Sequence, residues 1–314
     1  MMSTEIPAVQ HISSHVLTNL ARHRHMAPTR PIQPLFVGVQ GPQGSGKSFL
    51  SSRLKKVLTS PPHSLSVVVL SIDDLYLPHD GLVALAQAHP DNTLLKGRGQ
   101  PGTHDVALGT EILQQLKEIN STDGAEVNLP VFEKSLHGGE GDRLHETVTV
   151  GGPVDVVIME GWCLGFHPIT KDEIQRRWDR PVKGLDPDFF RSRGFRREDV
   201  EDVNERLKEY LPWWNFFSVF VQVKPAETHP YVHIYKWRLQ QEHNMKAANG
   251  GKGMTDAQVE AFIDRYIPGY VFFGDGVTKG ALLEDGTRHL PPWVGNSLQI
   301  QIDENREVTD TIVC

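Results

Sequence analysis

The octapeptide GPQGSGKS, residues 41–48, decides the fold. It satisfies the P-loop pattern G-x-x-x-x-G-K-[ST] at every position. The pattern has a physical basis. Backbone amides of Gly44, Ser45 and Gly46 can converge on an anion only if side chains stay out of the way. The helix that starts immediately afterwards adds its positive dipole end. In that reading Gly41, Pro42, Gln43, Gly44, Ser45, Gly46, Lys47 and Ser48 form a nucleotide cradle. Lys47 would reach the β- and γ-phosphates, and the Ser48 hydroxyl would coordinate Mg²⁺.

The flanks supply the context that such a motif needs. Before it runs LFVGVQ, residues 35–40; after it Leu50, Leu54, Val57 and Leu58 recur at helical spacing. Three further apolar runs, residues 66–72, 154–160 and 216–223, are nearly continuous, as strands buried on both faces of a parallel sheet are. A fifth run, SLQIQI at 297–302, alternates apolar and polar, which suits an edge strand. Helical stripes lie between the runs: Leu108, Ile112, Leu116 and Ile119; then Val200, Val203, Leu207 and Leu211; then Val259, Phe262, Ile263 and Tyr266. The last stripe opens with a capping box, Thr255 with Gln258. Alternation of strand and helix predicts an α/β fold with a doubly wound sheet. Residues 1–30 are expected as a helical or flexible extension. Residues 31–314 are expected as a single P-loop domain, with 170–215 a charged helical insert.

Several charged residues fall where such a sheet binds ligands, at the carboxyl ends of its strands. The run VDVVIMEG ends in Glu160, which would face a magnesium ion or its waters. The run VVVLSIDDLY ends in Asp73 and Asp74. Neighbouring aspartates project differently, so one is assigned to chemistry and one to structure. Asp73 is the chemical choice, accepting a hydroxyl proton or ordering a metal-bound water. In RGQPGTHD, residues 98–105, Thr103, His104 or Asp105 caps the following helix, while Arg98 and His104 suit an anionic acceptor. The segment PVFEKSLHGGEGDR, residues 130–143, reads as a charged loop in which Lys134 and Arg143 could meet a carboxylate or phosphate. Arg238, in a helical segment over 231–246, is a candidate to stabilise the transferring phosphoryl group from a lid. Glycine-rich segments at 96–102, 137–141 and 249–253 suit moving loops.

The bulk properties exclude several classes. The net charge of −7 lacks the basic footprint of a nucleic-acid binder. No apolar run approaches the ~20 residues of a membrane span. Two cysteines, Cys163 and Cys314, make no disulfide framework and suit a reducing, cytoplasmic compartment. The oligomeric state is not legible.

Taken in order, the blocks GPQGSGKS, SIDDLYL, GRGQPGTHD, LPVFEKSLHGGEGDR, VVIMEGWCLGF, WRLQQE and GMTDAQVEAFIDRYIPGY resemble the phosphoribulokinase/uridine kinase/pantothenate kinase superfamily. The nearest likeness is to glycerate 3-kinases and their fungal ATP-binding kinase relatives. The resemblance implies a three-layer P-loop fold around a five-stranded parallel sheet, with the P-loop strand central. It implies ATP and Mg²⁺ as cofactors and transfer of the γ-phosphoryl group to a hydroxyl of a small molecule, D-glycerate in the enzyme members. It also implies that Lys47, Asp73, Glu160 and Arg238 act in catalysis, and that Ser48, Asp73 and Glu160 attend the metal. Arg98, His104, Lys134 and Arg143 would attend the acceptor, and Asn305 or Arg306 would lie near adenine. A kinase for uridine, pantothenate or a polyol, and a non-catalytic ATP-binding module, stay open. A GTPase is disfavoured because N-K-x-D occurs nowhere in the chain.

Overall fold

The computed structural model describes residues 6–27, 31–226, 230–248, 250–251 and 253–314. Asn249 and Lys252 of the expected glycine-rich lid loop, and parts of the expected N-terminal extension, lie outside the described residues. The strands are β1 (Leu35–Gln40), β2 (Val67–Ser71), β3 (Glu126–Glu133), β4 (Asp142–Gly151), β5 (Val156–Gly161), β6 (Val219–Pro225), β7 (Ala281–Leu282), β8 (Arg288–His289), β9 (Ser297–Ile302) and β10 (Val308–Val313). Six of them form the central sheet in the order β10-β9-β6-β1-β5-β2. β1 pairs in parallel with both β5 and β6, β5 with β2, and β6 with β9. The parallel strands therefore number five, and the strand leading into the P-loop stands at their centre.

The strands are buried on both faces because each alternates its side chains between two helical layers. Leu35, Val37 and Val39 of β1 share one core cluster with Ile12, Val16, Leu54 and Leu58 from helices α1 (Pro7–Met26) and α2 (Lys47–Thr59). Phe36, Val157, Met159 and Phe220 face the other way. They join a cluster fed by α4 (Val106–Glu118), α7 (Arg197–Leu207), α8 (Leu211–Trp214) and α11 (Ile267–Phe273). The remaining helices are α3 (His79–Ala88), α5 (Lys171–Trp178), α6 (Phe189–Ser192), α9 (Pro230–Ala248), α10 (Asp256–Asp264) and α12 (Gly276–Lys279). Helix α1 thus contributes buried apolar residues to the core of the sheet it precedes.

Two expectations are corrected. The run 297–302 is not the edge of the sheet, because β10 pairs antiparallel outside it. Its alternation reflects Leu298, Ile300 and Ile302 packing inward while Gln299 and Gln301 stay half-buried, a difference between faces and not between edge and interior. Residues 130–143 are not a plain loop. They are the tip of an antiparallel hairpin, β3 with β4, that stands outside the main sheet. The hairpin was hidden because Pro130 and the glycines at its tip break the strand signature.

Ile12 is fully buried between α1 and the sheet. Ile12→Ala should lower the unfolding free energy by about 2–5 kcal/mol, the range for a buried isoleucine. Urea denaturation measures it, and a loss under about 0.5 kcal/mol would make α1 a surface appendage.

Candidate active site

The P-loop leaves β1 and enters α2 through a turn that only glycine allows. Gly44 has φ 74°, and a Cβ there would lie 2.7 Å from the backbone carbon of Trp237 in α9. Gly46, at φ 87°, forms the N-cap of α2. Three outside contacts hold the loop: the Gln43 amide donates to the Tyr270 hydroxyl at 3.0 Å, the Arg306 Nε donates to the Gly44 carbonyl at 2.8 Å, and the backbone of α9 abuts Gly44. Arg306 also donates to the Trp237 carbonyl and to Gln240, and its guanidinium lies 5.8 Å over the Trp237 ring. The residue foreseen near adenine is therefore a brace between the P-loop, α9 and the β9–β10 turn. Lys47 is buried beneath the loop.

Glu160 ends β5, next to β1, in register with Val39. Its Oε1 accepts from Ser48 Oγ at 2.9 Å, while its Oε2 is buried with no hydrogen-bond partner among the described residues. A hydroxyl, a carboxylate and a spare carboxylate oxygen at the P-loop suit a hard divalent cation that keeps several of its waters.

Asp73 follows β2, two strands from β1. Ser71 Oγ accepts from its amide in a short turn of 3₁₀ helix, residues 72–75. The hairpin tip brings Lys134 Nζ to 2.5 Å from Asp73 Oδ2, and the Tyr76 hydroxyl donates to Oδ1 at 3.1 Å. Burial alone would push this carboxyl up. The ammonium groups of Lys134 and Lys47 outweigh it and hold the group well below the usual carboxylate range. Lys134 is pushed up in return, chiefly by Asp73. Asp74 differs: its Oδ1 accepts from the Phe132 amide at 3.1 Å, which docks the hairpin, and burial raises its carboxyl.

The other foreseen residues separate. His104 is buried, stacked on Tyr76 at a ring distance of 4.4 Å, with Nδ1 bonded to the Tyr210 hydroxyl at 2.8 Å. Burial lowers its pKa to about 3, so it is neutral and offers no charge to an anion. It packs against Tyr76, its buried Nε2 has no hydrogen-bond partner among the described residues, and Asp105 is the residue that caps α4, accepting from Leu108. Arg143 is likewise committed: it pairs with Asp105 at 3.2 Å and donates to the Tyr76 carbonyl at 2.7 Å. Arg238 lies on α9 against the P-loop, and its side chain pairs with Glu242 at 2.8 Å and covers the Phe262 ring. Arg98 donates to the carbonyls of Gly139 and Glu140, tying the 96–102 turn to the hairpin tip. Reading the sequence missed Tyr76, Trp162, Arg265, Tyr266 and Tyr270. Trp162 donates to the Gly99 carbonyl at 3.0 Å and packs edge-on to Tyr266 at 4.6 Å. The only signal available for the four aromatic residues was aromatic density beside motif residues, which core packing produces equally well, and Arg265 carried no signal beyond its charge.

A P-loop, a carboxylate beside its serine, and a buried aspartate at the strand end next but one define a P-loop phosphotransferase. No protein-family model matches the chain. It is 37% identical over 287 residues to the probable ATP-dependent kinase TDA10 of Saccharomyces cerevisiae, covering 88% of each chain. It is 33% identical over 278 residues to the chloroplastic D-glycerate 3-kinase of Arabidopsis thaliana, covering 88% of this chain and 54% of that protein. The structure of D-glycerate 3-kinase from Cryptococcus neoformans superposes with a TM-score of 0.87 and 39% identity, covering 98% of this chain and 99% of that one. The chain belongs to this family of P-loop kinases, the one that holds the fungal ATP-dependent kinases and the D-glycerate 3-kinases. It is an ATP-dependent small-molecule kinase.

Gly44→Ala forces a side chain into the left-handed region, a strain of about 1–3 kcal/mol before the clash with α9 is counted. It should weaken binding of a non-hydrolysable ATP analogue by more than about tenfold, as read by calorimetry. His104 supplies a pH prediction. Its pKa falls from 6.5 in the unfolded chain to about 3 in the fold, so its contribution is complete above pH 6.5 and is lost as pH falls towards 3. The slope reaches at most about 1.4 kcal/mol per pH unit. His104→Phe should flatten it in urea titrations.

Proposed function

We propose that the chain transfers the γ-phosphoryl group of ATP to a hydroxyl of D-glycerate, in the cytoplasm. The observation that carries this reading is Asp73, a buried carboxylate kept ionised by Lys134 at 2.5 Å, at the strand end next but one to the P-loop. The plant and cryptococcal relatives, both D-glycerate 3-kinases, support glycerate as the acceptor.

In this reading the amides of Gly44, Ser45 and Gly46 bind the phosphates, and Lys47 draws charge from the β- and γ-oxygens. Ser48 and Glu160 would hold Mg²⁺, with Asp73 attending it, and the bound ion would supply charge neutralisation at the phosphate oxygens. Asp73 accepts a hydrogen bond from the acceptor hydroxyl and aims it at the γ-phosphorus. Its depressed proton affinity makes it a weak base towards the free alcohol, so it takes the hydroxyl proton late, as the bond to phosphorus forms and the oxygen turns acidic. Phosphoryl transfer passes through a loose transition state, so orientation counts for more than early deprotonation. Lys134 gives way to the acceptor and then offers its charge to the migrating phosphoryl group. Arg238, on the helix that covers Gly44, adds positive charge once Glu242 releases it. Closure of the 96–102 turn over the hairpin tip excludes water as a rival acceptor.

The test is ADP release from Mg-ATP with D-glycerate, uridine, pantothenate or glycerol. D-glycerate should stimulate release most strongly. Release that no acceptor stimulates would favour a non-catalytic ATP-binding module. Lys47→Ala should abolish turnover. Asp73→Asn should lower kcat by about 10²–10⁴, the range for a positioned proton acceptor, with affinity for ATP nearly unchanged. Normal turnover in Asp73→Asn would remove Asp73 from the mechanism.

A further inference from the structure

Two guanidinium groups converge on the 96–102 turn from different elements. Arg98 is part of the turn. Arg265 follows α10 as its C-cap, and its Nη1 donates to the Lys96 carbonyl. The same Nη1 lies 3.7 Å from the position a Cβ would take on Gly97, the residue before Arg98. Each guanidinium rests on an aromatic ring, Arg98 at 5.7 Å over Phe132 and Arg265 at 5.7 Å over Phe262. Their partners on the protein are carbonyls and ring faces, and among the described residues no carboxylate forms an ion pair with either. This is unusual in a chain of net charge −7, where most arginines near them are paired: Arg143 with Asp105, Arg193 with Asp264, Arg206 with Asp202.

Neighbouring cations without a counter-ion repel each other, and burial adds to the strain. Arg265 is held below its ordinary pKa by desolvation first, with the charge of Arg98 working in the same direction. Such a pair, half-buried and open to solvent, favours an anion from outside. It faces the reaction centre through Tyr266. The hydroxyl of Tyr266 sits 2.7 Å from the Cβ position of Gly99, and the ring feels the charges of Asp73, Arg265, Arg98 and Lys134 together. Asp73 and Lys134 on one side and Arg98 and Arg265 on the other all act on Tyr266, so an acceptor beside that ring can turn an anionic group to the arginines and a hydroxyl to Asp73.

We infer that Arg98 and Arg265 form a carboxylate-binding site that makes the kinase select a small hydroxy acid over a neutral alcohol. The planar fork of a guanidinium matches a carboxylate's two oxygens, and two forks presented by rigid ring faces leave little side-chain freedom to be lost on binding. The inference rests on the reading of Asp73 as the group that receives the acceptor hydroxyl. Arg265 is the specificity-determining residue it adds.

The experiment compares D-glycerate with glycerol, the same carbon skeleton without the carboxylate, in the wild type, Arg265→Met, Arg265→Lys and Arg98→Met. KM for ATP and thermal melting serve as controls for folding. Arg265→Met should raise KM for D-glycerate by about 30-fold, the loss of one charge-assisted contact. It should leave kcat/KM for glycerol within about twofold, so that discrimination collapses, and Arg265→Lys should restore part of it. Equal losses on both acceptors, or an unchanged KM for D-glycerate in Arg265→Met, would overturn the inference. So would a wild type that uses glycerol as well as D-glycerate, which leaves the kinase reading intact. If the wild type phosphorylates neither, the glycerate reading has failed by itself. Calorimetry of D-glycerate with the ATP-analogue complex then decides the site. Binding that Arg265→Met removes supports it, and no binding to the wild type overturns it.

Discussion

Everything in the site depends on a short stretch of backbone being kept free of side chains while it is pressed against a helix. At Gly44 the chain turns left-handed within van der Waals contact of the backbone of α9. That closeness brings the backbone of Trp237 and Arg238 against the P-loop. A loop with so little regular structure of its own must be held in place by others. Tyr270, Arg306 and the α9 backbone do this from three directions. Two of these braces come from beyond residue 260, so the nucleotide site is built by the whole length of the chain.

The second constraint is charge. Asp73 and Glu160 approach one phosphate-binding space in which Lys47 and Lys134 also lie. The two carboxylates differ in their surroundings. Asp73 is gripped by Lys134 and Tyr76, and it stays ionised although buried. Glu160 has a serine on one oxygen and, among the described residues, no hydrogen-bond partner on the other. A carboxylate whose two oxygens are each held by one partner can orient a hydroxyl through its remaining lone pairs, whereas one with a bare oxygen is free for a cation or its water. The outward-standing hairpin links these roles. Docked on Asp74 through the Phe132 amide, it delivers Lys134 to Asp73 and offers the Gly139 and Glu140 carbonyls to Arg98.

Several residues that look functional in the sequence turn out to work through others. His104 and Arg143 both support Tyr76, one by stacking beneath its ring and one by holding its carbonyl. Tyr76 in turn bonds Asp73. A histidine next to an aspartate in a glycine-rich segment suits either anion binding or packing. Burial decides between them here, because a desolvated imidazole remains neutral. The hairpin escaped notice for a related reason. In its first strand buried Val127 and Leu129 alternate with exposed Glu126 and Asn128, its second strand is largely exposed, and neither carries the continuous apolar run that marked the strands of the main sheet.

By itself the sequence determined the P-loop, its strand and helix, the parallel sheet around it, and the strand-end positions of Asp73 and Glu160. These follow from local rules: glycine spacing, apolar continuity and the side-chain period of strand and helix act within a few residues of one another. The tertiary structure alone decided which oxygen of Glu160 remains free, and that Lys134 and not Arg143 reaches Asp73. It also decided that Arg306 braces the P-loop, and that Arg98 and Arg265 meet although 167 positions separate them. Those outcomes depend on how elements far apart in the chain cross. A guanidinium in a sequence carries its charge but not the identity of its counter-ion, which only the packed fold supplies or withholds.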